Sequence, residues 1–252
     1  MNISVVKKEI KENFFAMKGS LWLFVVTLLF SGMAYSFVTV KELSLLAQTE
    51  IMMTMGKLIL GLGLLITIIL ASVSFSSEKE QSTIESLLLT PVSRMELAWG
   101  KLFSTLFMWI LVFVLSIPYI YTLGYGTNVA FAMLTFIFTA GTLIIFLFSC
   151  ISIGLSIILG SSKNAMITSI IIFLISAIPS FLSTTMKKAG FGMIIEKLSP
   201  LSNVINIMKE IIINKQGLLE LSSLLIPFLI WIAAGYMFLR YAVNKLEFKG
   251  GE

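Results

Sequence analysis

Side chains able to take part in ionic chemistry gather between Ser77 and Lys101, in the segment SEKEQSTIESLLLTPVSRMELAWGK, with long apolar runs on either side. Glu78, Lys79, Glu80, Glu85, Arg94, Glu96 and Lys101 supply carboxylates and cations for ion pairs and charged hydrogen bonds. Catalysis does not fit the set. There is no histidine, and the one cysteine, Cys150, lies inside an apolar run, so an internal disulfide, a thiolate–imidazole pair and most metal sites are ruled out. Intramembrane proteolysis would need paired aspartates, a zinc site or a serine with a base, and none is present. We therefore expect no catalytic residue and no metal site. ATP binding in the P-loop manner is excluded as well, because Gly56-Lys57-Leu58 and Gly100-Lys101-Leu102 lack both the hydroxyl and the upstream glycine. If ATP drives this chain, another polypeptide binds the ATP and Mg.

Two helices around a proline must hold this segment. Ser82-Thr83-Ile84-Glu85 reads as a capping box, opening a short helix with Ile84, Leu87 and Leu88 on one face. Thr90-Pro91 ends it, since proline disfavours helical geometry in the residue before it. Ser93-Arg94-Met95-Glu96 is a second capping box, and its helix runs into the next apolar stretch. The expectation is a short helix at a membrane surface, on which a cytoplasmic partner pushes.

The rest of the chain is apolar. It is 58% hydrophobic and 12% charged over 252 residues, against roughly a quarter charged in soluble domains. Its net charge of +5 is scattered rather than gathered in a stripe, which argues against nucleic acid and for topology signals and contacts with anionic lipid headgroups. At the start, Ile3, Val6, Ile10, Phe14 and Met17 recur at helical spacing, with Lys7, Lys8, Glu9, Lys11 and Glu12 on the other face. That predicts an amphipathic interfacial helix within residues 1–19. About six spans follow, near 20–40, 58–75, 102–123, 129–159, 165–185 and 221–241. The first exceeds a signal-peptide core of about 7–15 residues and is taken as retained. A mixed loop through Lys41, Glu42, Glu50 and Lys57 is expected between the first two spans. Gly61-Leu62-Gly63 in the second is read as a close-packing site.

From Leu102 to Ser162 no Asp, Glu, Lys or Arg occurs, which argues against proton-coupled transport through a buried relay. Gly124 to Asn128 and Gly160 to Asn164 are turn signals. Between the fifth and sixth spans, residues 187–220 read as two short amphipathic pieces, 191–198 and 201–213, split at Ser199-Pro200. Basic residues hugging the span ends predict cytoplasmic N and C termini. That places 77–101 inside the cell and 187–220 outside, as re-entrant or interfacial helices. No internal repeat or second domain is evident, so residues 1–252 are expected to form one transmembrane domain.

The segment from Glu78 to Arg94, with Gly100-Lys101 after it, resembles the signature of permease subunits of type-two ABC exporters. That signature has a Glu-rich start, Gly-Thr-x-Glu, a Leu-Leu pair, Thr-Pro-Val-Ser-Arg and a Gly-Lys beyond; here Ser82 stands where the family usually has glycine. The interfacial first helix, about six spans and long last outer loop are similar to the family's layout. The resemblance implies a permease dimer, from two copies or close paralogues, bound to two cytoplasmic ATPase subunits in a bacterial or archaeal cytoplasmic membrane. It also implies a coupling helix from about Glu80 to Thr90. Within it, Ser82 and Thr83 open the helix, and Glu80, Glu85 and Arg94 make charged contacts or hold the turn. Leu87 and Leu88 would fill the ATPase groove, and Pro91 would fix the elbow. Ser199 and Pro200 would belong to an outer gate. Spans so poor in charge favour an apolar or amphipathic cargo, and the Lys/Ile/Asn-rich make-up is similar to exporters of bacteriocins or phenol-soluble-modulin-type toxins. Export of lipid, drug or sodium is the alternative cargo class. A non-transporting membrane sensor or immunity module is the alternative of another kind.

Overall fold

The computed structural model describes residues 3–15, 18–38, 45–83, 93–125, 129–181, 190–215 and 221–246. Among these, helices α1 (Ile3–Phe15), α2 (Lys18–Val38), α3 (Leu45–Val73), α4 (Ser76–Glu80) and α5 (Arg94–Leu123) are followed by α6 (Val129–Leu159), α7 (Ser162–Phe181), α8 (Gly190–Leu198), α9 (Pro200–Ile212) and α10 (Ser222–Asn244). The protein is all-α among the described residues. Six helical segments are long and apolar enough to cross a membrane, as the charge-free runs require. Those built on α3–α4, α5 and α6 reach 33, 30 and 31 residues. For α5 and α6 that is about 45 Å of helix against a hydrocarbon core of about 30 Å, so each is some three turns longer than the core is thick.

α3 and α6 pack along each other at the centre, flanked by α5, α7 and α10, while α2 leans on α5 at the periphery. Trp109 of α5 explains the close approach. Its ring is fully buried against Gly63 of α3 and Gly141 of α6, where an added Cβ would come within 2.5 and 2.7 Å of it. Its Nε1 donates to Thr142 Oγ1 at 3.1 Å. The close-packing reading thus holds at Gly63; Gly61 faces open space. Gly235 and Gly154 do the same for α10 against α6, receiving Leu147 and the Phe238 ring. Hydroxyls in the spans mostly bond their own helix, as Thr67 to Gly63 O and Thr105 to Leu102 O.

Two local expectations change. The region through Glu50 and Lys57 is helix rather than loop, since α3 begins at Leu45. Glu50, Thr54 and Lys57 form an exposed stripe, while Met52, Met53 and Met55 are buried behind it. Gln48 Nε2 fixes this end by donating to Leu123 O at 2.8 Å. Glu9, expected among the solvated residues of α1, is 5% exposed and faces α5.

Candidate functional site

The long helix that starts with α3 breaks just after Val73. Ser156 of α6 reaches across and its Oγ accepts from the backbone N–H groups of Phe75 (3.0 Å) and Ser76 (2.9 Å). These donors belong to the start of a new helix and would otherwise be unsatisfied. α4 then lasts five residues. It ends as the Ser82 N–H donates to Lys79 O (3.2 Å) and the Thr83 N–H to Glu78 O (2.9 Å), with Ser82 in left-handed backbone at φ 55°. This is the paired bonding of a Schellman stop, whose left-handed position favours glycine. Ser82 therefore closes the helix before it, whereas an N-cap would be extended. The other half of that predicted box, Glu85, lies outside the described residues, as do Leu87, Leu88, Thr90 and Pro91. The second capping box is present: Ser93 Oγ accepts from Glu96 N–H and the Ser93 N–H donates to Glu96 Oε2, both at 3.2 Å. Arg94 opens α5.

Three successive side chains of α4 each grip a different helix. Glu78 Oε1 accepts from Lys101 Nζ of α5 at 2.6 Å, and the same ammonium donates to Glu9 Oε1 of α1 at 3.1 Å. Lys101 also stands 4.9 Å from the centroid of the Phe75 ring, a cation–π contact. Lys79 Nζ donates to Ile157 O in the last turn of α6. Glu80 accepts from the N–H (2.8 Å) and Oγ (2.7 Å) of Ser162, the first residue of α7. A cation thus sits at a helix C-terminus and an anion at the next N-terminus, the arrangement the two helix dipoles favour. Asn13 of α1 adds a bond to Ser104 Oγ of α5 at 2.8 Å.

Glu9 and Lys101 are the only fully buried charged residues among those described. The sequence places Lys101 among the cations available for ion pairs without indicating that it is buried. A finer signal was available: Leu97, Lys101, Ser104 and Met108 share one helical stripe, and all four are buried. A lysine on a buried stripe requires an anion.

Ser199 and Pro200 lie elsewhere. Ser199 donates to Ser176 O of α7 at 2.6 Å and caps α9 by accepting from Ser202 N–H at 3.1 Å, with Pro200 in the first turn. Ser176 is fourteen residues into α7, about 20 Å along the helix from the Ser162–Glu80 contact. Glu80 and Ser199 therefore bind opposite ends of α7. α9 inserts between α7, α6 and α10, with Val204, Ile207 and Met208 buried. Trp231 Nε1 of α10 donates to Leu198 O at 2.7 Å. Beside α9 an apolar cavity of 480 Å³ is walled by Phe136 and Leu143 of α6, Ile207 and Ile211 of α9, and Phe228 of α10.

A family model described as ABC-2 family transporter protein matches residues 3–243. The chain belongs to that family. No curated protein matches it closely enough to count as a relative. As an ABC-2 permease it is the multi-pass membrane component of an ABC transporter, a transport subunit rather than an enzyme, and members of the family typically work with an ATPase partner. The family match begins at Ile3, so α1, which carries Glu9, is inside it.

Proposed function

We propose that this ABC-2 permease forms the membrane path of an ATP-driven exporter of amphipathic or hydrophobic cargo, with a peptide toxin or bacteriocin as the substrate class. The observation that carries the reading is the segregation of charge. Buried charged side chains gather at the α1–α4 end of the bundle, while the rest of it offers apolar and hydroxyl surfaces and a half-open cavity lined by Phe, Leu, Ile and Thr. Such a path has no titrating relay of its own and suits a cargo with an apolar face. Force is supplied from outside the chain, at the charged end.

In this reading the α1–α4 end is cytoplasmic, with both termini, in a bacterial or archaeal cytoplasmic membrane. Residues from about Glu80 to Thr90 dock in an ATPase subunit, Leu87 and Leu88 fill its groove and Pro91 sets the elbow. Two permeases, identical or closely paralogous, pair with two ATPase subunits, and ATP and Mg bind there. The α8–α9 pair, with Ser199 and Pro200 at its joint, is the outer gate. The experiment is reconstitution of the permease with its ATPase in inverted vesicles, using a labelled cationic amphipathic helical peptide. ATP-dependent accumulation with stimulated hydrolysis is the expected result. Accumulation of labelled lipid or sodium instead would reassign the cargo, and hydrolysis that no cargo stimulates would favour a sensor.

A further inference from the structure

We infer that Glu78, Lys79 and Glu80 are positioning residues that divide a displacement of the coupling segment between two separate arms. One arm runs through Glu78 to Lys101 of α5 and on to Glu9 of α1. The other closes on the α6–α7 turn from both sides, Lys79 holding the end of α6 and Glu80 the start of α7. The inference rests on the proposed function for the source of the displacement, but the two-armed grip is a property of the permease alone.

The geometry makes the arms separable. α4 is fixed at its start by Ser156 of α6 and at its end by the Schellman bonds of Ser82 and Thr83, so its three charged side chains move as one body. Each arm ends on a different helix, and every contact is a charge-assisted hydrogen bond, the stronger class. The α6–α7 arm bonds main-chain groups at helix ends. A pull there acts on the whole of α7, whose far end holds α9 through Ser176 and Ser199. The α5 arm reaches α1 through a buried ammonium shared by two carboxylates. The two arms share no side chain, since α4 gives Glu78 to one and Lys79 and Glu80 to the other.

The test places spin labels in a Cys150→Ala background at exposed positions, as Gln81→Cys with Lys163→Cys for the α7 arm and Gln81→Cys with Lys11→Cys for the α1 arm. In the permease alone, Lys79→Ala with Glu80→Ala removes three charge-assisted hydrogen bonds and should raise the population outside the native 81–163 distance at least about tenfold, leaving 81–11 unchanged. Glu78→Ala should do the reverse. Ser162→Pro removes the donor from the other side at a helix position that tolerates proline, and should reproduce the first pattern if the double variant fails to fold. In the assembled complex, a Leu198→Cys probe should change its reactivity with a membrane-impermeant thiol reagent on ATP and vanadate addition. The Lys79/Glu80 variant should lose that change while ATP hydrolysis continues. Both distances broadening together, neither broadening, or a preserved change at residue 198 would overturn the inference. A wild-type complex that fails to assemble or shows no nucleotide effect would instead defeat the proposed function, with the distances still deciding the arms.

Discussion

Replacing Lys101 by methionine tests the buried cluster where it is most exposed to failure. Lys101 is 2% exposed and its ammonium is the common partner of Glu9 at 3.1 Å and Glu78 at 2.6 Å. Methionine fills much of the same space but leaves two carboxylates facing each other out of water. Breaking a buried pair by removing one partner costs about 3–5 kcal/mol. At some 2–4 °C per kcal/mol for a chain of this size, the melting temperature should fall by about 10 °C. Thermal melts of the detergent-solubilised permease, followed by size-exclusion fluorescence, measure the loss. The companion variant combines Lys101→Met with Glu9→Gln and Glu78→Gln. With no charge left unpaired, it should recover part of the stability, the remainder being the cost of two buried amides short of hydrogen-bond partners. The single variant melting with the wild type, or the triple variant no better than the single, would refute the assignment.

Ser82→Gly should stabilise the permease by about 0.5 kcal/mol, since left-handed backbone at φ 55° strains serine and not glycine; the same melts read it. Trp109→Ala should cost about 3–5 kcal/mol by emptying the site between Gly63 and Gly141. Gly141→Ala should cost about 1–3 kcal/mol by forcing a methyl against the ring, whereas Gly61→Ala, with open space for the methyl, should stabilise by about 0.5–1 kcal/mol. Ser199→Ala should lower stability by about 1 kcal/mol through loss of the α9 cap. Faster amide exchange confined to the first turn of α9 is the corresponding local signature.

Where charge vanishes and turn residues intervene, the architecture could be read directly from the residues. The helix over 129–159 has the bounds that Asn128 and Gly160 imply, and the break at Ser199-Pro200 falls where a hydroxyl cap followed by proline requires it. The start of α3 was harder, because a polar stripe of Glu50, Thr54 and Lys57 has the composition of a loop and becomes helix only through the methionines packed behind it. Ser82 shows the limit of local motifs. Ser-x-x-Glu spacing suggests a cap, but the Ser156 contact 80 residues away in sequence fixes where α4 begins, and so where it must end. Glu9 and Lys101 each look solvated alone. Their burial follows from the packing of α1 on α5, a tertiary fact that neither helix states by itself.

We propose that work enters this permease through the segment between Ser77 and Lys101. The most direct test is a photo-crosslinking amino acid at Leu88 in the assembled transporter, paired with Leu88→Asp in the transport assay. A crosslink to the ATPase subunit is expected, and in the aspartate variant the loss of both ATPase association and transport. Labelling of residue 88 from the cell exterior, or wild-type association and transport in Leu88→Asp, would contradict it.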